Sequence, residues 1–347
     1  MVLWYLLILI VLLADVQVCK SGFFRDYLGK EQCSAIKGIF ILLVFLGHAI
    51  LDIKHCGYSF DRSIDWLAQA IHKEMGQLVV VMFLFYSGFG VMKSLQSKGR
   101  TYLAAYPKSR LLTTLFNFDV AVCCFILLAL IKGESLSFSK IALSFIGWDD
   151  FGNSNWYIFV ILCCYLAFYL IFQVAESRLG IGIVALSLIT LAGMVALYYF
   201  KTPHWYNTML VFPAGVAYAS FSDKLEPLIQ KKYGLVLALL IVAFLSLHLL
   251  MKAHPLHGLT FNAKSIVFAL LIIALTMKVR IGNKLLYWCG LSLFPIYIYQ
   301  RIPMNAIRFW GGDAWVCSNP NLFIGVCFVI TVGIALLYNK YLRIKLA

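Results

Sequence analysis

The sequence predicts an all-α, polytopic membrane protein of about eleven transmembrane helices, on three observations. Of its 347 residues, 62% are apolar and 13% charged, whereas a soluble domain is about 45–50% apolar and about 25% charged. The mean hydropathy is +0.88. Runs without a formal charge recur along the whole chain with only short connections between them. Hydrocarbon offers backbone groups no hydrogen-bond partners, so each run is expected to be a helix. This composition excludes a soluble enzyme and a disordered chain. It also excludes a nucleic-acid partner despite a net charge of +14, because excess Lys and Arg in such a chain report topology.

In order, the expected spans are residues 38–51, 75–92, 111–131, 151–175, 179–200, 202–222, 233–251, 265–277, 285–300 and 314–339. Residues 2–19 precede them as an eleventh run, read as a retained helix because no basic segment opens it and Asp15 interrupts it. The runs 38–51 and 265–277 are short, and Lys37 and Lys264 are expected to lengthen them by snorkelling. No repeat, low-complexity tract or soluble domain is visible. The strongest basic cluster is Lys93, Lys98, Arg100, Lys108 and Arg110. Placing it in the cytoplasm carries most of the 29 Lys and Arg to that side, with the C-terminus cytoplasmic and the N-terminus outside. The protein is expected in the cell membrane.

The ten cysteines form no disulfide framework; several sit within apolar runs, where a thiol packs as a small hydrophobe. No Cys/His spacing suits a metal, so none is expected.

Ionisable groups at membrane depth are costly unless paired or facing a cavity. His48 leads them, eleven positions after Lys37 and thus about 16 Å along a helix from it. It is either a reactive imidazole or a buried histidine bonded to a neighbouring helix. Asp52 follows at i+4, where helical side chains meet. It either orients His48 or caps the outer helix end in water. Asp119, two residues after Asn117, is either a cavity wall or a helix–helix contact. Glu74, with His72 and Lys73, marks a membrane boundary. Asn153, Ser154, Asn155, Trp156 and Tyr157 form an amide-and-aromatic patch at an outer helix end. His204, Trp205, Tyr206 and Asn207 form another. Such patches suit sugar rings, and equally the interfacial aromatic belt.

The segment from Lys37-Gly38 to Gly47-His48 resembles the first core helix of the acyltransferase-3 family of integral membrane acyltransferases, with ten residues between its basic residue and histidine. Phe85-Tyr86-Ser87-Gly88-Phe89 is similar to that family's Ser-Gly-aromatic stretch. Lys108-Ser109-Arg110 resembles its basic segment, Asn155-Trp156-Tyr157 a later helix start, and Tyr287-Trp288-Cys289-Gly290 with Tyr297-Ile298-Tyr299-Gln300 its penultimate helix. The ordered set places an acyltransferase-3-like membrane domain at residues 33–341, preceded by an extra helix within residues 1–20. Three departures stand out. Lys37 replaces the usual arginine and loses its bidentate fork. Thr113 stands where a second basic residue is expected, so that contact is missing or supplied elsewhere. Gln300 stands where many relatives have histidine.

The resemblance implies transfer of an acyl group, usually acetyl from acetyl-CoA, to a carbohydrate hydroxyl. The acceptor is polymeric or lipid-linked, acetyl-CoA is a co-substrate, and no cofactor is tightly bound. On this reading His48 with Asp52 is catalytic, Lys37, Arg110 and Lys108 hold the donor, and Asn153, Asn155, Trp156 and Asp119 face the acceptor. Ser87 and Gly88 are read as close helix packing. The expected partners are the acyl-CoA donor, the carbohydrate acceptor and membrane lipids, with no nucleic acid. Competing readings are a transporter or flippase of a lipid-linked or small polar substrate, an acyltransferase for a small metabolite or lipid, and a membrane scaffold.

Overall fold

The computed structural model describes residues 1–62, 64–253 and 257–346. Helices dominate it, and seven stretches are long and apolar enough to cross a membrane. One of them, Asp65–Ile131, runs through several helices without a long loop. The fold is all-α and polytopic, and the run 179–200 is helical over the span read from the sequence, α8 (Leu179–Phe200).

The first apolar run is shorter as a helix than as a sequence. Helix α1 (Val2–Leu13) has twelve residues, a rise of about 18 Å against a hydrocarbon core of about 30 Å. Beyond it the chain turns extended as β1 (Val16–Val18), which pairs antiparallel with β2 (Val279–Ile281). At its other end the terminal ammonium of Met1 pairs with Asp65 of α3 (Asp65–Met75). Helix α1 is thereby tied at both ends.

Helix α2 (Lys30–His55) is the axis of the molecule. It starts two turns before Lys37, so Lys37 lies within the helix and is half-buried rather than reaching out from its end. On one side α2 crosses α12 (Lys284–Leu291) with backbones in contact. A Cβ on Gly38 would overlap the Leu286 carbonyl, and one on Gly290 the Ser34 carbonyl. The same device joins α4 (Leu78–Tyr106) to α9 (Val211–Lys231). There Gly88 meets the Phe212 carbonyl and Gly215 the Phe85 carbonyl. Small residues let helices approach until dispersion and backbone contacts replace the missing hydrophobic drive in lipid. Gly38, Gly88 and Gly290, quoted above in family-like motifs, are thus positions of closest approach.

The expected span 285–300 is broken. It divides into α12 and α13 (Leu293–Tyr299), then continues into α14 (Arg301–Ser318). Pro295 has no N–H for the Leu291 carbonyl, nor Pro303 for that of Tyr299. The irregularities fall in the turns those losses weaken, at Ser292 and Gln300. Helix α15 (Pro320–Leu337) follows, and the chain end is tied to α5 (Thr113–Ile131). Asn117 of α5 accepts from the Tyr338 hydroxyl and the Ile344 N–H, and donates to the Ile344 carbonyl.

Lys264 does not snorkel. It sits inside α11 (His257–Thr276), only 3% exposed. Its amine lies 3.0 Å from Nδ1 of His248 on α10 (Tyr233–Ala253), whose Nε2 is 3.4 Å from Glu74. Burial is tolerable because the ammonium has a partner and lies 5.3 Å from the Phe244 ring centroid. Glu74, read as a boundary marker, closes this interhelical contact.

Candidate active site

His48 faces a cavity of about 220 Å³ built from several separate parts of the chain. Helix α2 supplies Val44, Gly47, His48 and Leu51; α3 and its turn supply His72, Gly76 and Gln77. Tyr5 closes it from α1, Tyr297 from α13, and Trp156 with His204 from the two aromatic patches. The Gly47 site explains how His72 comes so near: an added Cβ would stand 3.1 Å from His72 Nδ1. Trp156 and His204 meet edge to face at 5.7 Å between ring centroids. Partial desolvation beside these rings lowers the His204 pKa, opposed by the Asp150 carboxylate. A wider recess of about 590 Å³, lined by Lys54, Trp66, Gln69 and Lys73, adjoins the cavity through its shared Leu51 and His72.

His48 Nδ1 is buried and has no hydrogen-bond partner among the described residues. The pairing with Asp52 foreseen from i+4 spacing is therefore corrected. Asp52 is fully buried and one of its carboxylate oxygens takes Arg301 at 3.2 Å and Arg308 at 3.3 Å. Two guanidinium groups outcompete a neutral ring for a carboxylate in a low-dielectric site. The water-facing cap is excluded by the same burial. Arg301 and Gln300, at the Pro303 irregularity, are the electrostatic neighbours of His48, together with His72.

Each outer patch brings one residue to the cavity, Trp156 from the first and His204 from the second. Among the described residues Trp156 lines the cavity, while Asn153 and Asn155 do not. Asn155 donates both amide hydrogens to the Gly147 and Asp149 carbonyls, at 2.8 and 3.0 Å. Asn153 accepts from the Phe151 N–H, leaving its own amide nitrogen buried. Both hold the turn before α7 (Trp156–Ala175). Lys201 clamps the same turn, donating to the Trp148 carbonyl at 2.7 Å with its amine over the Trp148 and Trp205 rings. Asp119 lies on α5 with one carboxylate oxygen buried, and is absent from the described cavity linings.

At the other end of α2, Lys37 and Arg110 share one electrostatic neighbourhood with Cys33 and Lys30. Arg110 also lines a cavity of about 200 Å³ with Thr113, Asn117, Asn339 and Arg343. The threonine standing where a second basic residue was expected thus faces a cavity to which the chain end brings Arg343. Lys108 is exposed in the widened turn between α4 and α5, where its carbonyl accepts from Thr113. Among the described residues no group of His, Cys, Asp and Glu is arranged to hold a metal ion.

The model described as an acyltransferase domain, Acyl_transf_3, matches residues 33–340. The chain belongs to the acyltransferase-3 family. It is a multi-pass membrane acyltransferase in general class. No curated protein and no solved structure matches it. Sequence reasoning passed over Gln77, Arg301 and Tyr5 of this acyltransferase, read His72 as a boundary residue and quoted Tyr297 only within a family-like motif. Only their placement around His48 singles them out as site residues.

Proposed function

We propose that this acyltransferase moves an acetyl group from acetyl-CoA to a hydroxyl of a cell-envelope carbohydrate. The observation that carries the reading is a single helix holding both halves of such a reaction. Lys37 shares an electrostatic neighbourhood with Arg110 at one end, and His48 opens into a cavity about 16 Å further along. With the basic cluster in the cytoplasm, the C-terminus is cytoplasmic and the donor arrives at Lys37 and Arg110. The acceptor arrives from the opposite face, through the recess of Lys54, Trp66, Gln69 and Lys73.

A sugar hydroxyl is a poor nucleophile until its proton is removed as it attacks. Neutral His48 takes that proton while the oxygen bonds to the thioester carbonyl carbon. The carbon–sulfur bond then breaks, and the coenzyme A thiolate receives the proton from His48. Alternatively the imidazole itself carries the acyl group between donor and acceptor. Asp52 acts from a distance, neutralising Arg301 and Arg308 so that His48 is not crowded by uncompensated positive charge. Trp156 and His204 offer the aromatic faces on which sugar rings stack.

The experiment is incubation of purified protein with labelled acetyl-CoA and a glycan extract. Label is expected in the glycan for the native protein and not for His48→Ala. A native protein that leaves glycan, small metabolites and lipids all unlabelled would sink the reading. Label in lipid or metabolite alone would move the acceptor class.

A further inference from the structure

The recess that adjoins the His48 cavity carries a charge that the reaction above leaves unused. One stripe of α3 forms its wall. Trp66, Gln69, Ala70 and Lys73 follow the three- and four-residue spacing that aligns side chains on a helix. Ile50, Leu51 and Lys54, at the outer end of α2, complete the lining with His72. Asp65 fixes the start of α3 by holding the Met1 ammonium, and Ala68 buries the face opposite the stripe. Trp66 stays 57% exposed at one end of the stripe. Lys73 stands two turns along, about 10 Å further on the helix axis.

Among the described residues neither Lys54 nor Lys73 has a carboxylate partner. The carboxylates of the surrounding elements are engaged elsewhere. Asp52 holds Arg301 and Arg308, Asp313 also takes Arg308, and Glu74 turns to His248. Asp61, in the turn before α3, is not in the lining. No Asp or Glu lines either the recess or the His48 cavity among the described residues. His72 belongs to both linings and lies in the field of Lys54. Further in, the amide nitrogen of Gln77 is buried in the wall of the His48 cavity, without a hydrogen-bond partner among the described residues. The adjoining spaces offer two ammonium groups and an unbonded amide donor, and no anion answers them.

We propose that the recess binds an acidic sugar, its carboxylate or phosphate held by Lys54 and Lys73 with a ring against Trp66, and so selects anionic glycans as acceptors. The inference rests on the acceptor reading above and names the acceptor's charge. Hydroxyls of a neutral sugar donate as well as accept, and a wall without carboxylates meets them poorly. A carboxylate or phosphate brings acceptor oxygens alone, and its hydrogen bonds to ammonium groups are the strong, charge-assisted kind. Lysines at a membrane boundary commonly reach for headgroups. These two instead come from different helices and line one concave volume of about 590 Å³. An anion anchored there leaves a neighbouring hydroxyl free to pass His72 toward His48, where Gln77 donates to a sugar oxygen.

The test is binding of three oligosaccharides of equal length, one neutral, one bearing uronic acids and one phosphorylated, to the full chain in discs of zwitterionic lipid. Native protein should bind an acidic form about tenfold more tightly than the neutral one, the worth of one charge-assisted hydrogen bond. The preference should fade as salt rises, and the better-bound acid identifies the charged group. The Lys54→Gln/Lys73→Gln double variant should lose the preference at an unchanged unfolding temperature, and the corresponding double Arg variant should keep it. Lys252→Gln removes the same charge from an exposed site outside the recess and should also keep it. Equal affinity of native protein for neutral and acidic forms would overturn the proposal, as would a preference that survives in the double Gln variant. Displacement of the acidic sugar by phosphatidylglycerol added to the discs would overturn it too, because the lysines would then hold headgroups. Absence of acetyl transfer by native protein would remove the reaction proposed above, and the binding comparison would still decide the recess.

Discussion

At its Lys37 end α2 lies flush against α12, with Gly38 under the Leu286 carbonyl and Gly290 under that of Ser34. At its His48 end the same helix stands off from α1, α3 and α13, and a cavity of about 220 Å³ remains. One end is closed by residues without side chains, and the other is held open by large polar and aromatic ones. The difference teaches how a helix in lipid keeps a reactive group both deep and reachable. The tight crossing fixes the helix as a rigid post, so the open end need not be held by packing around His48 itself. Asp52 braces that open end from behind through Arg301 and Arg308.

The largest expected effect separates reactivity from architecture at the open end. His48→Ala should cut acetyl transfer by about 10²–10⁴-fold, with accumulation and unfolding temperature kept near native. A fall in activity explained entirely by lost protein would make the ring a structural element. Next comes the brace. Asp52→Ala leaves two guanidinium groups without their buried counter-ion and should cost about 3–5 kcal/mol of stability, read as a drop in unfolding temperature. An Asp52→Ala protein of native stability would show that the two arginines find other partners.

At the closed end, Gly38→Val should lower stability by about 1–3 kcal/mol through forced separation of α2 and α12. Gly90 supplies the control, since a Cβ there meets nothing within 4 Å. Gly90→Ala should therefore be silent in the same thermal assay. Equal behaviour of the two variants would show that the close crossing of α2 and α12 at Gly38 contributes no stability of its own.

The spans were legible because lipid leaves the chain one way to satisfy its backbone, and runs such as 179–200 stop where charge begins. That Lys37 and His48 share one helix was legible too. Rotation and neighbours were not. Asp52 sits at the right spacing for His48, yet its partners lie 249 and 256 positions away in the chain. Nothing local announces them, and the break that positions Arg301 depends on Pro303 acting one turn earlier. Lys264 was placed at a helix end by the charge pattern alone. Its burial depends on His248 of another helix, which no pattern within residues 257–276 contains. Residues 2–19 are apolar enough for a span, but β2 captures Val16–Val18 near their end, a pairing across most of the chain.

The smallest expected effect sorts the patch before α7, where aromatic and amide residues adjoin in sequence and part in space. Trp156 faces the His48 cavity, whereas Asn155 has spent its donors on the Gly147 and Asp149 carbonyls. Trp156→Ala should raise the KM for the glycan acceptor several-fold and leave that for acetyl-CoA alone, as expected for a stacking face on the acceptor side. Asn155→Ala should instead cost about 1 kcal/mol per lost hydrogen bond in stability, with both KM values near native. The two variants thus read opposite columns of one experiment. Should Asn155→Ala raise the acceptor KM while unfolding at the native temperature, the amide touches sugar, and the turn it now holds must open when the acceptor binds.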